Sequence, residues 1–215
     1  IADFRLASPE AVLGQLTVNC DFALDPNQRD AWLAEIEILR SQLNGINGYL
    51  FLEFNIPRMG RRVDAILIIG SVGFVVEFKI GEMLFDRSAN DQVWDYALDL
   101  KNFHEASHSA LIIPILVVAE AKDSPPVVFH ADPDGVYRPV QARPTGLRCI
   151  LDSALEIITG SNLNVREWAN ASYHPTPTIV EAARALYAQH SVEAIARFDA
   201  GAQNLRTTSG RIEEL

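Results

Sequence analysis

Residues 61–79, RRVDAILIIGSVGFVVEFK, set three charged side chains inside two strongly apolar runs. Runs so rich in Val, Ile and Phe, broken by Gly70-Ser71-Val72-Gly73, predict strands over 63–69 and 74–80 joined by a tight turn. Asp64 falls on the first strand, Glu77 and Lys79 on the second. Side chains two apart on a strand share a face, so Glu77 and Lys79 project together while Phe74, Val76 and Phe78 take the other side. An unpaired charge buried in such a sheet is costly. Two arrangements remove that cost: an Asp/Glu–Lys ion pair at a sheet edge, or carboxylates that hold a divalent metal with a lysine beside it.

The neighbouring sequence supplies the frame. Ser8-Pro9 reads as a helix start leading to about residue 16, followed by an extended piece over 18–24. Asp25-Pro26 repeats the cap signal and opens a firmer helix to about 43, with Trp32, Ile36, Leu39 and Leu43 as its apolar stripe. Glu35 lies at the edge of that stripe, either solvated or turned towards the sheet. Asn44-Gly45 ends the helix. Residues 49–56, YLFLEFNI, form a strand whose lone charge is Glu53. The turn 57–60 leads to Arg61 and Arg62, placed to meet a phosphate or to balance nearby acids. Three strands joined by short turns predict an antiparallel meander.

A long helix follows from Asp86 or Ser88 to about 107, its inward face formed by Val93, Ala97, Leu100 and His104, with Tyr96 and Phe103 beside them. Gln92 and Tyr96, four apart, stack at the margin of that face. His104 reads as a hydrogen-bonded core histidine or, alternatively, a catalyst. The next strand, 111–121, reached by a right-handed crossover, is expected parallel to the one carrying Glu77. Beyond it come a hairpin over 127–131 and 136–140 around Asp132-Pro133-Asp134-Gly135, and a helix over 150–159. Trp168 is the expected anchor of the irregular stretch 161–172, and two helices are expected over 178–189 and 192–200. Residues 201–215 read as a polar tail.

Composition narrows the function classes. With 48% hydrophobic residues in 215, the chain has ample material for a core. No apolar run approaches the roughly 18–20 residues of a membrane span, and the longest, 111–119, contains Pro114. No secretory signal is read at the start, which opens on Ile1. Cys20 and Cys149 are too few for a disulfide framework or a zinc site, so a reducing, cytoplasmic setting is expected. The net charge of −10 speaks against broad electrostatic binding of nucleic acid, although a local basic groove is compatible with it.

The expected order is helix, three strands, helix, strand. On it, Asp64, twelve intervening residues and Glu77-Phe78-Lys79 spell D-x(n)-E-x-K. The segment Gln92-Val93-Trp94-Asp95-Tyr96 on the next helix spells Q-x-x-x-Y. Over about residues 26–121 the chain thus resembles the PD-(D/E)XK nuclease superfamily, of the RecB-like type. Val63 stands where the family name has proline. The phrases EFNIPRMGRRVD, VVEFKIG and YALDLKNFHEAS are similar to the nuclease domain preceding a Schlafen-type superfamily 1 helicase in bacterial proteins. No Gly-rich phosphate loop is present. The resemblance implies an α/β, restriction-endonuclease-like αβββαβ core with a mixed sheet over 26–160. A lead-in over 1–25 would precede it. A helical connector over 161–215 would lead to a downstream helicase domain.

The resemblance also implies roles, and the chemistry fits them. Phosphodiester hydrolysis needs charge neutralised on the phosphate and a water made nucleophilic. Mg²⁺, or Mn²⁺ in its place, keeps several waters, so two carboxylates can hold it. Asp64 and Glu77 would do so, with the backbone carbonyl of Phe78 as a further ligand. Lys79 would position the water and stabilise developing charge. Gln92 would orient Lys79 or a water, and Tyr96 would contact phosphate or support Glu77. Glu35, or failing that Glu53, would be the additional acid. The expected activity is a nuclease acting on DNA; the alternatives are a ribonuclease and a non-catalytic nucleic-acid- or partner-binding module of the same fold.

Overall fold

A computed structural model describes residues 1–18, 25–56 and 61–174. The turn expected at 57–60, Cys20, and the helices and tail expected beyond 174 lie outside the described residues. The chain is mixed α/β, with one five-stranded mixed sheet flanked by helices. Helices α1 (Ala2–Leu6) and α2 (Pro9–Val18) lead in. Ser8 Oγ accepts from the Ala11 N–H, as a cap before Pro9 should. Helix α1 was not expected from sequence, having no capping side chain. Val18 closes α2, and the rest of the extended piece expected over 18–24 lies outside the described residues.

Helix α3 (Pro26–Gln42) starts at the Asp25 cap, and its stripe of Trp32, Ile36 and Leu39 is buried, as is Leu43 beyond its end. It is followed by β1 (Tyr49–Ile56), β2 (Arg61–Ile69) and β3 (Val72–Lys79), a meander with antiparallel pairings. The turn between β2 and β3 is two residues, Gly70-Ser71, not the four expected, since Val72 already pairs with Ile69. Gly70 at φ +61 makes this possible, because a two-residue hairpin turn needs a left-handed residue that glycine supplies freely. Accordingly β3 begins two residues earlier than predicted, at Val72, and it ends one residue earlier, at Lys79.

Helix α4 (Arg87–Phe103), capped by Asp86, packs on β3 and on β4 (Leu111–Val118). The predicted single helix to 107 is divided: His104 breaks it, and a 3₁₀ turn, Glu105–Ser107, follows. As expected, β4 runs parallel to β3, in unbroken register from Val72↔Leu111 to Lys79↔Val118. Its near-continuous Leu-Ile-Val sequence suits a strand covered on both faces.

The predicted hairpin over 127–140 survives only as its turn. Gly135 at φ +85 and the Asp132–Val136 hydrogen bond are present, but pairing is limited to an Ala131–Tyr137 bridge. Pro139, within the second expected strand, lacks the N–H donor a ladder requires, and Val140 pairs with Ile115 of β4. A short strand that was not expected, β5 (Val140–Ala142), instead joins β4 in parallel. Helix α5 (Leu147–Ile157) begins about a turn earlier than predicted, led by the 3₁₀ turn Pro144–Gly146. A short helix, α6 (Val165–Asn170), lies within the stretch read as irregular.

Two apolar layers sandwich the sheet. Leu39, Leu43 and α5 side chains cover one face, against Leu67, Phe74, Val76 and Ile115. Helix α4 and Trp168 cover the other, against Ile66, Ile68, Val75 and Leu116. Trp168 is buried, as its anchoring role predicts.

Candidate active site

The β2–β3 ladder stops at Ala65↔Val76. Continued by one step, that register would set Asp64 opposite Glu77, and here the two strands part. Asp64 Oδ2 instead accepts the Phe78 N–H at 2.7 Å, so a side chain takes the place of the missing ladder bond. The β1–β2 ladder is also interrupted at this level. Leu52↔Ala65 and Phe54↔Val63 pair, and the intervening Glu53–Asp64 step is absent from the register. Asp64 thus sits where β2 is released on both sides, at the open end of a fork.

On β3, Glu77 and Lys79 face α4, as the alternation requires. Lys79 Nζ donates to Glu77 Oε1 at 2.9 Å and to Gln92 Oε1 at 3.1 Å. Gln92 Nε2 donates to Glu77 Oε1 at 2.8 Å and to Tyr96 Oη at 2.9 Å. Gln92 and Tyr96 meet because they are one turn apart on α4, and Tyr96 is buried, deeper than the helix margin on which the sequence placed it. Four of the residues singled out from sequence therefore form one hydrogen-bonded network. Asp64 joins it through the backbone of Phe78.

Glu35 turns inward from α3 and is buried. Its carboxyl is pushed up to about 8, by burial first and then by the charges of Glu53 and Glu77. Burial, with the Glu77 and Glu35 charges, raises Asp64 well above the usual carboxylate range, against the Phe78 hydrogen bond. Glu77 is raised too, by burial, although Lys79 and Gln92 oppose the shift. For Lys79, burial pulls the pKa down, but the Glu77 hydrogen bond and the Glu77 and Asp64 charges outweigh it and leave the ammonium firmer than usual. Tyr96 is raised by burial.

Burial drives these shifts, and mutual repulsion among Asp64, Glu77, Glu35 and Glu53 adds to them, with Lys79 and Arg62 as opposing cations. Glu77 Oε2 is buried with no hydrogen-bond partner among the described residues. An orphaned carboxylate oxygen in an acid-rich fork is what a hard divalent cation would complete. Among the described residues, no three His, Cys, Asp or Glu side chains already converge into a cage for such an ion. A site of two carboxylates, a backbone carbonyl and waters does not need one.

Glu53 is placed differently. Its Oε1 accepts from Trp32 Nε1 at 2.7 Å, and its Oε2 pairs with Arg62 Nε at 3.2 Å. Burial still leaves its carboxyl raised. Arg62 thus balances an acid, one of the two roles its sequence position suggested. Trp32 was legible only as an apolar stripe residue, and its indole N–H gave no sequence signal. Arg61 instead lines an open cleft of about 860 Å³ that runs past Gln92 and Tyr96 to Arg87 and Ser88, with Asp86, Asp91 and Asp95 along it. His104 lies apart from the site. Its Nδ1 is 2.7 Å from Ser107 Oγ, which also accepts from Trp168 Nε1, so it is the hydrogen-bonded core histidine of the two readings.

Comparison of the chain with family models, with curated proteins and with solved structures gives no match, so the reading of the fork rests on its own residues.

Proposed function

We propose that this chain is a divalent-metal-dependent nuclease of restriction-endonuclease-like architecture, hydrolysing phosphodiester bonds with DNA as the favoured substrate. It would serve as the nuclease part of a longer, helicase-containing protein. The observation that carries the reading is the fork itself: two raised carboxyls, Asp64 and Glu77, joined to Lys79, Gln92 and Tyr96 where two strands part. Asp64 and Glu77 would hold Mg²⁺ or Mn²⁺, with the Phe78 carbonyl and Glu35 as further donors. Such an ion would neutralise phosphate charge and make a water a better nucleophile.

The protein's own groups divide the remaining work. Lys79, hydrogen-bonded to Glu77 and Gln92, would serve as a cation and hydrogen-bond donor beside the metal. Two of its three N–H donors are held by Glu77 and Gln92, and the third remains to stabilise charge on a phosphate oxygen or to hold the attacking water. Gln92 fixes the direction of both Glu77 and Lys79. Arg61 offers a positive group at the cleft through which a strand would approach, and no base-reading element accompanies it among the described residues.

Incubation with single- and double-stranded DNA and RNA, with Mg²⁺, Mn²⁺ or EDTA, tests the reading. Cleavage is expected with either metal, none with EDTA, and none in folded Asp64→Ala or Lys79→Ala. Retained cleavage in both variants would overturn it. The net charge of −10 favours, as a second reading, a non-cutting module of the same fold. Metal uptake with no cleavage of any substrate would select that reading, and cleavage of RNA alone would make the enzyme a ribonuclease.

A further inference from the structure

Glu53 is the one non-glycine residue with positive φ among the described residues, at +51. In a strand, an L-residue there costs about 1–2 kcal/mol and persists only when its surroundings hold it. The kink is shared by two strands. On β1, Leu50 and Leu52 pack with the α3–α5 layer, whereas Phe54 and Ile56 pack with the α4 layer. On β2, Ala65 and Leu67 face the first layer and Val63 the second. Residues two apart should share a face, so both strands change face at opposed positions, Glu53 and Asp64. The register is the same before and after the change. A paired change of face, not a slip, frees Asp64 from both ladders and lets its carboxylate reach the Phe78 N–H.

Both oxygens of Glu53 are engaged, by Trp32 from α3 and by Arg62 from β2. We propose that Trp32, Glu53 and Arg62 are a positioning set that holds this double kink and so presents the Asp64 carboxylate at the mouth of the fork. Glu53 is then not the additional acid of the site. The contacts that occupy it are the ones that hold its left-handed backbone. Only the consequence for metal affinity rests on the functional reading above; the geometric consequence does not.

The test follows amide hydrogen exchange and Mn²⁺ binding in the wild-type chain, Trp32→Phe, Glu53→Gln and Arg62→Ala. In metal-free protein the Phe78 amide is expected to exchange roughly tenfold faster or more in the variants, while the ladder amide of Val76 keeps its protection. Calorimetric titration is expected to show Mn²⁺ bound about 10–100-fold more weakly, the range for residues that orient a ligand from behind. At saturating Mn²⁺ most of the turnover should return. Should Trp32→Phe fail to fold, Glu53→Gln and Arg62→Ala carry the test. Unchanged Phe78 exchange in folded variants overturns the positioning set. A wild-type chain that takes up no divalent ion leaves the exchange result standing and overturns the nuclease reading instead.

Discussion

The β3–β4 and β1–β2 pairings lie in one sheet and are built on opposite principles. The first is parallel, buried and unbroken over eight residue pairs, from Val72↔Leu111 to Lys79↔Val118. The second is antiparallel and interrupted where Glu53 takes a left-handed backbone. The regular pair carries Glu77 and Lys79, whose spacing must stay fixed relative to α4. The irregular pair carries Asp64, which must leave the ladder to reach them. Rigidity and strain thus meet at one fork, and each can be broken separately.

The largest effect is expected from the regular side. Phe74, fully buried in β3 beneath the α3–α5 layer, supports the platform. Phe74→Ala is expected to lower stability by about 3–5 kcal/mol through lost burial and an unfilled cavity, read as a shifted urea midpoint. A loss under 1 kcal/mol would show that the platform is not where the stability lies. On the irregular side, Asp64→Asn should separate function from folding. Asparagine can still accept the Phe78 N–H, yet it removes one of the converging charges. Cleavage is expected to fall by about 10²–10³, while the metal-free protein melts a few degrees higher. A lower melting temperature would mean that the carboxylate stabilises the fold, contrary to its raised pKa.

The pH dependence of metal-free stability sharpens the same contrast. Glu35 moves from an ordinary 4.5 to about 8, and Asp64 and Glu77 move in the same direction. In each case the folded state binds its proton more tightly than the unfolded one. Stability is therefore full below about pH 4.5 and is lost as pH rises towards 8. The expected loss is on the order of 4 kcal/mol, since each pK unit is worth about 1.4 kcal/mol, measured by urea unfolding from pH 5 to pH 9 in EDTA. Mn²⁺, which competes with those protons, should flatten the slope. A flat profile in EDTA would show the acids to be better solvated than the fork implies.

What could be read in the sequence follows the same division. Strands β1 to β4, helices α3 and α4 and their caps are legible because apolar periodicity and Asp25, Asp86 and Gly70 report local physics. Asp64, Glu77, Lys79, Gln92 and Tyr96 could be nominated from motif spacing, and Glu77 and Lys79 could be placed on one face by alternation. The double kink could not be read, since alternation assumes an unbroken strand and nothing in YLFLEFNI marks Glu53 as left-handed. Nor could the role of Trp32, whose partner lies 21 positions away in sequence; for Arg62 the balancing of an acid was one of two readings, and its partner, 9 positions away, was not named. Strand β5 was hidden because three residues, VQA, carry no period. The hairpin over 127–140 did not form beyond its turn, because a good turn signal does not supply the donor that Pro139 lacks or keep Val140 from β4.

The smallest effect comes from the other positive φ among the described residues of the meander. Gly70, in the β2–β3 turn at the far end of β2 from Asp64, takes φ +61 without penalty, whereas Glu53 must be held in place. A Cβ at Gly70 would meet only Asn162 Oδ1 at 3.6 Å, an ordinary contact. The cost of Gly70→Ala is therefore conformational, about 1 kcal/mol, seen in the unfolding midpoint. Mn²⁺ affinity and turnover should stay at wild-type values, because the turn lies beyond the regular part of the ladder. A fall in metal affinity would mean that strain at the turn reaches the fork, and that β2 transmits what the continuous β2–β3 pairing is expected to absorb.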